Sequence, residues 1–594
     1  MDRRAERQSA PIVWVLLGGA TVAFHLGLIF YGLVPNLVSR PVHMALLLPW
    51  IFVFAAQTKG ARVSGMILAA LGIVACAWIA LQHDALRNQF GFLETDFQIA
   101  LAVMLLVIAM EGARRMIGWP LPIVALLALL YGLYGQHLPG QFGHAGVPLR
   151  SFLGTLVITE GGLWGKLTGV SVNVVAIFVI LGAILNAGEA GQGFMNVASA
   201  AAGRLKGGAA KVSVLSSALF GSISGSASAN VASTGAITLP AMTKLGYPKR
   251  LAAGVEAVAS SGGQIMPPLM GAGAFIMVEL TGVPYTQIMA AALLPALLYF
   301  ATVWIGIDAF ASRFDLKAIP VDERPKARDV IITSLYFAVP FTILLAAIFA
   351  VGYTPQFAAC LAIFAAFALL FVNRETGVDL GVGTVRVAHA MMAAGKQVAM
   401  IGSIIICASI IIGVLGITGL GVKITSLIVG ASSGLLWPAL LLTALACLLL
   451  GMEVPTTAAY VICVSVAGPA LIALGLEPLQ AHLFVFWFAL LSTITPPVCG
   501  AVFIAAGMIE ENWLKVAATA MMLGVGLYII PLAMIANPTL LELSTTPLVS
   551  VLTAGQVGLG LALLSLGLIA SLAPAKRLAL LVGGFMVVFV RVLF

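Results

Sequence analysis

The feature that most constrains the fold is an apolar stretch, residues 221–285, that glycine, proline and hydroxyl side chains interrupt. Its first part alternates serine with small residues and ends at Asn230, and its later part contains Gln264 and Pro267-Pro268. Glycine and proline weaken helices, and irregular backbone survives in hydrocarbon only where it is buried in protein or lines a polar cavity. The stretch therefore predicts discontinuous membrane helices, of the kind that form binding sites in ion-coupled transporters.

A second copy of this pattern follows 229 residues later and aligns without a gap. Prolines and glycines, which chance rarely matches in an apolar chain, align in one register: Pro240 with Pro469, Gly246 with Gly475, Pro267-Pro268 with Pro496-Pro497, and Gly271 with Gly500. We interpret this register as an internal duplication. The two copies are predicted to occupy about 168–307 and 398–536.

Composition indicates a membrane protein. Of the 594 residues, 61% are hydrophobic and 9% are charged, which predicts an all-α polytopic membrane protein. The net charge of +8 does not indicate nucleic-acid binding, because the Lys and Arg residues are spread over short loops. Basic residues precede the first apolar run (11–33), which we interpret as a retained helix with the N-terminus in the cytoplasm. The six cysteines stand singly in apolar segments and are expected to be free thiols.

The chain order predicts a small module followed by a large one. Apolar runs in the small module (1–150) predict helices at about 11–34, 41–56, 63–81, 97–113 and 120–136. A Gly- and Pro-rich junction at 137–150 leads into the large module (151–540), which starts with a segment, 151–165, that could lie at the membrane interface. The remaining residues, 541–594, are expected to add helices at 549–571 and 577–594 that have no duplicate.

Each copy in the large module is predicted to contain a re-entrant hairpin and a broken helix. Hairpin arms at 211–223 with 229–245, and at 433–451 with 455–475, are too short to cross ~30 Å of hydrocarbon. The broken helices are predicted at 251–266 with 269–281, and at 480–494 with 497–508. Further helices are predicted at about 168–188, 286–307, 330–351, 355–372, 398–418 and 514–536.

Charge predicts that the two hairpins enter the membrane from opposite sides. Six basic residues flank the first hairpin: Arg204, Lys206, Lys211, Lys244, Lys249 and Arg250. Only Lys423 lies between Gly419 and Gln480, around the second. Because basic residues favour the cytoplasmic side, this asymmetry predicts an inverted repeat.

The hairpin tips and helix breaks are the candidate binding site. Each begins a half-helix whose free N–H groups favour an anion, while adjacent carbonyls and hydroxyls favour a small cation such as sodium. The candidate sodium ligands are Ser224, Ser226, Ser228, Asn230, Thr456, Thr457, Thr493 and Thr495. The candidate substrate-binding residues are Asn230, Glu256, Gln264, Pro267, Pro268, Thr457, Pro496 and Pro497. The alternative is that these hydroxyls only cap or pack helices.

Acidic residues in apolar segments are functional candidates. They are Glu111, Glu160, Glu189, Glu256, Glu279, Asp308, Glu453 and Glu477. Glu111 and Asp308 are expected at the membrane interface. Glu256 could bind a coupling ion or a proton, or simply pair with a neighbour, and Glu453 is expected in the second hairpin tip. A lone histidine, His482, is expected to be buried and hydrogen-bonded.

Several enzyme classes are disfavoured, because the chain lacks a phosphate-binding GxxxxGK[ST] loop and an HExxH motif. Three functions remain: an ion-coupled importer that uses a partner, a divalent-anion symporter that works alone, and a membrane-embedded enzyme or assembly platform. Substitution of Asn230 or Thr457 by alanine is expected to weaken transport without unfolding the protein.

Four motifs carry a family resemblance: GSISGSASANVASTGAITLPAMTKLGYP (221–248), AGVEAVASSGGQIMPPLMGAGAFI (253–276), MEVPTTAAY (452–460) and AHLFVFWFALLSTITPPVCGAVF (481–503). Over about 150–540 the chain resembles the fused membrane subunit of tripartite ATP-independent periplasmic (TRAP) transporters, of the TAXI kind. It departs from that family's usual Gly-Leu where Glu453-Val454 precede Pro455.

The resemblance implies a function and a set of partners. It implies sodium-driven import of small organic anions, often carboxylates, across the bacterial inner membrane, with substrate delivered by a periplasmic TAXI-type solute-binding protein. It further implies that residues 1–150 are a fused small subunit and that the two-hairpin core moves as an elevator. The implied ion sites are Ser226 to Asn230, Gly262 to Pro268 (including Gly263), Thr456-Thr457 and Thr493 to Pro497. No cofactor other than sodium is implied, and the oligomeric state stays open, a monomer being one option.

Overall fold

A computed structural model describes residues 11–375, 377–451, 455–497 and 499–589. Nearly all the regular structure in this part of the chain is helical, and twelve of its helices are long and apolar enough to cross a membrane. The predicted class, an all-α polytopic membrane protein, is therefore confirmed. Glu453 and its neighbours at the second hairpin tip (452–454) lie outside the described residues, as do residues 590–594 of the last predicted helix.

The N-terminal part contains nine helices, and its five predicted membrane helices are all present. A π-helical turn, Trp50–Phe54, continues the second helix, and another, Ser171–Val175, joins the last two into one span. The segment predicted at 151–165 forms a shorter helix. The helices are α1 (Ile12–Tyr31), α2 (Asn36–Pro49), α3 (Lys59–Leu81), α4 (His83–Arg87), α5 (Asp96–Ile117), α6 (Pro120–Tyr134), α7 (Leu149–Val157), α8 (Lys166–Val170) and α9 (Ala176–Ala187).

The first predicted hairpin and broken helix follow. Between the hairpin arms, Gly225 adopts a left-handed backbone conformation (φ 61°) that ends the first arm. The Ser226 side chain then accepts a hydrogen bond from the Ala229 N–H and caps the second arm. The helices are α10 (Ala190–Ala202), α11 (Gly208–Ser224), α12 (Ala227–Lys244), α13 (Lys249–Gly262), α14 (Gly271–Thr281) and α15 (Tyr285–Phe314).

The next segment corrects two sequence-based predictions. It contains α16 (Ala327–Phe349), α17 (Pro355–Leu369), a two-stranded antiparallel ribbon of β1 (Val372–Asn373) and β2 (Gly377–Val378), α18 (Leu380–Thr418) and α19 (Leu420–Ala431). The helix predicted to begin at 398 begins at Leu380. Its first half contains the basic residues Arg386 and Lys396; Arg386 forms an ion pair with Glu189 (2.7 Å), and the Asp379 side chain caps the helix. Helix α19 was not predicted.

The C-terminal part contains the second hairpin and the second broken helix. The helix predicted at 514–536 is divided at Gly524, whose N–H donates to Ala520 O at 2.7 Å and ends the first half. The helices are α20 (Leu436–Leu450), α21 (Thr456–Ala473), α22 (Pro478–Leu491), α23 (Gly500–Met508), α24 (Trp513–Leu523), α25 (Val525–Ala536), α26 (Pro547–Ile569) and α27 (Pro574–Phe589).

The helix bounds repeat with the spacing of the prolines. Helices α21 and α22 begin and end 229 positions after α12 and α13, and α19 follows α10 with nearly the same spacing. The repeat that the prolines and glycines indicate therefore extends to whole helices. One of them is α19, which the sequence patterns did not predict.

The chain forms two compact units. The first comprises the residues up to Glu189, Tyr336–Ser433 and Ser465–Ala470. In it, α18 is the central helix, against which α1, α2, α5, α6 and α9 pack. Glycines make this packing close: a Cβ at Gly18 would lie 2.2 Å from Met391 O, and one at Gly395 would meet the Trp50 ring at 2.3 Å.

The second unit comprises Ala190–Leu335, Gly434–Val464 and the residues from Leu471 onward. In it, α11, α12 and α13 pack on one another, and α23 packs against both α12 and α13. Helix α22 packs against α20 and α25. Both hairpins and both broken helices thus belong largely to this unit, and the candidate site is described within it.

Candidate functional site

The first hairpin tip (residues 224–227) lies against the start of α14. A Cβ at Gly225 would be 3.0 Å from the Gly271 Cα, and one at Gly271 would be 2.9 Å from the Gly225 Cα. Such approaches leave no room for a side chain on either residue. The tip of the first hairpin and the restart of the first broken helix are therefore in backbone contact.

Gln264, in the 3₁₀ turn Gly263–Ile265 that follows α13, connects the first hairpin tip to the start of α21. With its amide oriented to satisfy its neighbours, it accepts a hydrogen bond from the Ala227 N–H (3.0 Å) and donates to Gly225 O (3.1 Å). It also donates to Thr456 Oγ1 (3.0 Å), in the first turn of α21. One buried side chain thus satisfies the start of α12 and reaches the start of α21.

Thr493, in the second break, and Gly500, at the start of α23, each lie close to the first repeat. Thr493 Oγ1 lies 2.9 Å from Ser261 Oγ in α13, and a Cβ at Gly500 would lie 3.4 Å from Ser228 Oγ in α12. Thr493 O also accepts a hydrogen bond from the Ala501 N–H (3.2 Å) at the start of α23. The second break and the start of α23 therefore adjoin α13 and the first turn of α12.

These contacts bring together the N-terminal ends of α12, α14, α21 and α23. The first N–H groups of a helix lack intrahelical partners and carry partial positive charge, so four such ends favour a bound anion. The hydroxyls and carbonyls of the same breaks are suitable ligands for a small hard cation. Among the described residues, the ends of these helices converge as the sequence predicts, whereas the binding roles of individual residues stay predictions.

Asn230 is fully buried and joins three helices. Its Nδ2 donates to Ser217 O in α11 (2.9 Å) and to Ser260 O in α13 (3.3 Å). A Cβ at Gly221 or Gly263 would lie within 3.0 Å of this nitrogen. Both of these hydrogen bonds use the amide nitrogen. If Asn230 binds a ligand, the contact would therefore be made by its side-chain oxygen, Oδ1.

Glu256 is fully buried within a cage of five hydroxyl groups. Thr234 and Thr238 make short hydrogen bonds to Oε1 and Oε2, and Ser213 donates to Oε2 at 2.7 Å. Ser260 and Ser217 approach Oε1 at 3.3 and 3.5 Å. The sequence identified Glu256 as a candidate but not this cage, because its members come from three helices.

The other predicted residues lie around the tips and breaks. Ser224, Ser226, Ser228, Pro267, Pro268, Thr495 and Pro496 are half-buried, Thr456 and Thr457 are buried, and Pro497 is exposed. Gly263 lies where a Cβ would meet Gly221 Cα at 2.6 Å.

Two tyrosines in this region were missed. Tyr528 Oη lies 2.7 Å from Thr495 Oγ1, and Tyr299 Oη donates to Val258 O at 2.7 Å. Each places a hydroxyl beside a broken helix. They occupy the same place in the two repeats, 229 positions apart, so the duplication register was the signal that could have identified them.

Most of the remaining acidic candidates have structural partners. Glu111 pairs with Arg114 and Arg115, Glu160 with Arg40, Glu189 with Arg386, and Asp308 with Lys211. Glu477 caps α22, and Glu279 is exposed. His482 is buried and lies 2.8 Å from Tyr460 Oη, as expected for a structural histidine. The six cysteines are free and buried, which confirms that prediction.

Comparisons with a family model and with related proteins all point to one family of membrane transporters. The family model described as "Tripartite ATP-independent periplasmic transporter, DctM component" matches residues 101–549. The chain is 26% identical over 333 residues to the C4-dicarboxylate TRAP transporter large permease protein DctM of Pseudomonas aeruginosa, which covers 54% of this chain and 74% of that protein. It is also 26% identical over 440 residues to the protein of that name from Vibrio cholerae (71% and 92%). The isethionate TRAP transporter permease protein DctMQ of Oleidesulfovibrio alaskensis is 24% identical over 420 residues (67% and 64%).

Proposed function

Because the chain belongs to the family of DctM components of tripartite ATP-independent periplasmic transporters, we propose that it imports small organic anions that a periplasmic binding protein delivers. The family makes it a transporter permease and not an enzyme. The relatives named for C4-dicarboxylates and for isethionate handle small organic anions. A small organic anion, and most simply a carboxylate, is therefore the substrate class we propose for this chain.

The observation that carries the proposal is the bridge that Gln264 makes between the first hairpin tip and the start of α21, among four converging helix ends. We propose that the anion binds at these ends, near Gln264, Thr457 and the proline pairs. We propose that sodium binds nearby, through the oxygens of Ser224, Ser226, Ser228, Asn230, Gly263, Thr456, Thr457, Thr493 and Thr495. Neutral oxygen ligands of this kind suit sodium, and their proximity to the anion site would couple the two.

We propose that the large module is an inverted repeat and that it transports substrate by an elevator-type cycle. The repeated helix bounds support two equivalent halves, and the difference in flanking charge supports opposite entry of the two hairpins. Both hairpins lie largely in one compact unit. That unit is the part we propose to carry the substrate across the membrane.

We also propose that residues 1–150 are a fused small subunit, joined to a large subunit at 151–540, and that the system is of the TAXI kind in a bacterial inner membrane. A buried hydrogen-bond relay supports the fusion. A carbonyl only accepts, so His25 Nδ1 donates to Thr21 O (2.7 Å). In the neutral histidines, His43 Nδ1 then donates to His25 Nε2 (2.7 Å), and Ser171 donates to His43 Nε2 (3.0 Å). The relay thus joins α1 and α2 to the π-helical turn of the large module.

The test is transport in proteoliposomes that contain the purified chain. A panel of radiolabelled small carboxylates, with succinate as the C4-dicarboxylate, is offered with and without the co-expressed TAXI-type binding protein. We expect uptake only with the binding protein and with an inward sodium gradient. Equal uptake with potassium would contradict sodium coupling. Uptake without the binding protein would instead indicate the symporter that works alone.

A further inference from the structure

We propose that Glu256 is a proton-binding site, at which a carboxyl group alternates between its ionised and neutral forms inside the hydroxyl cage. In the protonation step a carboxylate lone pair accepts a proton from hydronium, which forms an O–H bond and leaves a water molecule. The proposal rests on the proposed transport function only for its role in coupling. The site itself is argued from the geometry of α11, α12 and α13.

Both carboxylate oxygens are surrounded by hydroxyl donors. Oε2 accepts from Ser213 and Thr238, and Oε1 accepts from Thr234, with Ser260 and Ser217 farther away. Such donors stabilise the ionised form, so the cage can hold a charge. An unpaired charge in a buried site nevertheless carries a desolvation cost, so neutralisation by a proton is also available.

No described cationic side chain neutralises Glu256. Among the described hydrogen bonds and ion pairs, none joins it to a charged or titratable group of the helices that pack against α13. Several of those groups have other partners: Lys211 of α11 pairs with Asp308 of α15, Lys244 of α12 pairs with Glu323, Tyr299 of α15 donates to Val258 O, and His482 of α22 bonds Tyr460. Tyr285 of α15 donates to Pro268 O. The remaining ones are Arg313 of α15, Lys515 of α24 and, at the start of α13 itself, Lys249 and Arg250.

The cage can satisfy either protonation state, because its threonines have a second acceptor. Thr234 Oγ1 lies 2.8 Å from Asn230 O, and Thr238 Oγ1 lies 3.1 Å from Thr234 O. Each hydroxyl has a single hydrogen. When the carboxyl is ionised, these hydrogens point to Glu256; when it is neutral, they turn to the backbone carbonyls and a hydroxyl oxygen accepts the carboxyl hydrogen.

The cage connects to the hairpin tips through Asn230. The second acceptor of Thr234 is the Asn230 carbonyl, and the Asn230 amide holds Ser217 O and Ser260 O. Gly263, beside that amide, precedes Gln264, which bridges the first tip and the start of α21. A change in the protonation of Glu256 therefore changes the hydrogen bonds of Thr234. Thr234 is connected through Asn230 to the region of Gln264, where we propose that the substrate binds.

The test is infrared difference spectroscopy of the full chain in lipid nanodiscs, between acidic and alkaline buffer. It compares wild type with Glu256→Gln and with Glu279→Gln, an exposed acid of the same unit. We expect a band of a buried neutral carboxylic acid that titrates in wild type and in Glu279→Gln and is missing in Glu256→Gln. The absence of a titrating band in wild type, or its persistence in Glu256→Gln, would overturn the proposal.

A second variant keeps the test valid if Glu256→Gln does not fold. Thr234→Val keeps the carboxyl but removes one donor to it, which disfavours the ionised form. We expect the midpoint of the band to move to higher pH by about one to two units, which corresponds to the loss of one hydrogen bond to a charged group. An unchanged midpoint would count against the cage. Neither measurement needs a substrate. The proposal of a proton site can therefore be wrong while the proposal of sodium-driven uptake is right, and the uptake proposal can be wrong while the proton site is right.

Discussion

Gln264 donates a 3.0 Å hydrogen bond to Thr456 Oγ1, so a side chain of the first repeat holds the start of a helix in the second. The same amide accepts from the Ala227 N–H in the first hairpin. The two hairpins therefore do not form independent sites. If the proposed anion and sodium sites lie at these helix ends, this one side chain is a simple physical link between them.

The bridge predicts a large effect of Gln264→Ala on transport. Removal of the amide leaves the Ala227 N–H and the Thr456 hydroxyl without this partner, and each lost hydrogen bond costs about 1 kcal/mol or more. We expect uptake in proteoliposomes to fall about tenfold or more. Gln287→Ala, at an exposed position in α15, serves as the control and should leave uptake unchanged. Equal uptake by both variants would argue against a role for the bridge.

The packing of Gly263 predicts a loss of stability on substitution. In Gly263→Ala the new Cβ would lie 2.6 Å from both Gly221 Cα and Ser217 O, which are backbone atoms that cannot move away cheaply. We expect destabilisation of about 1–3 kcal/mol, seen as a lower melting temperature in detergent. Gly507→Ala in α23 is the matched control, since no atom lies within 4 Å of its added Cβ. A melting temperature equal to that of wild type would contradict the close approach.

Asn230 and Thr457 illustrate how the structure changes a sequence-based prediction. The sequence predicts that alanine at either position weakens transport without unfolding the protein. Because the Asn230 amide joins α11, α12 and α13, we now expect Asn230→Ala to lower stability by about 1–3 kcal/mol as well. Thr457→Ala should reduce sodium-driven uptake with little change in melting temperature. Thermal unfolding of both variants, followed by uptake, separates these two effects.

Sequence patterns predicted the helix breaks because glycine, proline and serine act locally. Gly225, Ser226 and the proline pairs stand where the chain leaves and re-enters helices. The start of α18 was placed too late, because the partner of Arg386, Glu189, lies 197 residues away in sequence. The Glu256 cage was missed for the same reason: no local pattern shows that Ser213, Thr238 and Glu256 meet.

Tyr528, which contacts Thr495, is predicted to affect the sodium concentration that uptake requires. Tyr528→Phe removes the hydroxyl beside Thr495, a proposed sodium ligand, while the ring remains. We expect the half-saturating sodium concentration for uptake to rise about threefold, which corresponds to one modest hydrogen bond. Tyr353→Phe, at an exposed position, is the control. An unchanged sodium dependence in Tyr528→Phe would remove Thr495 from the proposed site.

Opposite entry of the two hairpins predicts the sidedness of two equivalent positions. Lys244 and Ala473 are the last residues of α12 and α21, 229 positions apart, and both are exposed. In intact cells, a membrane-impermeant maleimide should label Ala473→Cys from outside, whereas Lys244→Cys should react only after the cytoplasmic face is opened. The wild-type chain is the control, because its six native cysteines are buried and should label weakly. If both variants are labelled from the same side, the two hairpins enter the membrane in the same orientation. The proposed inverted repeat would then be wrong.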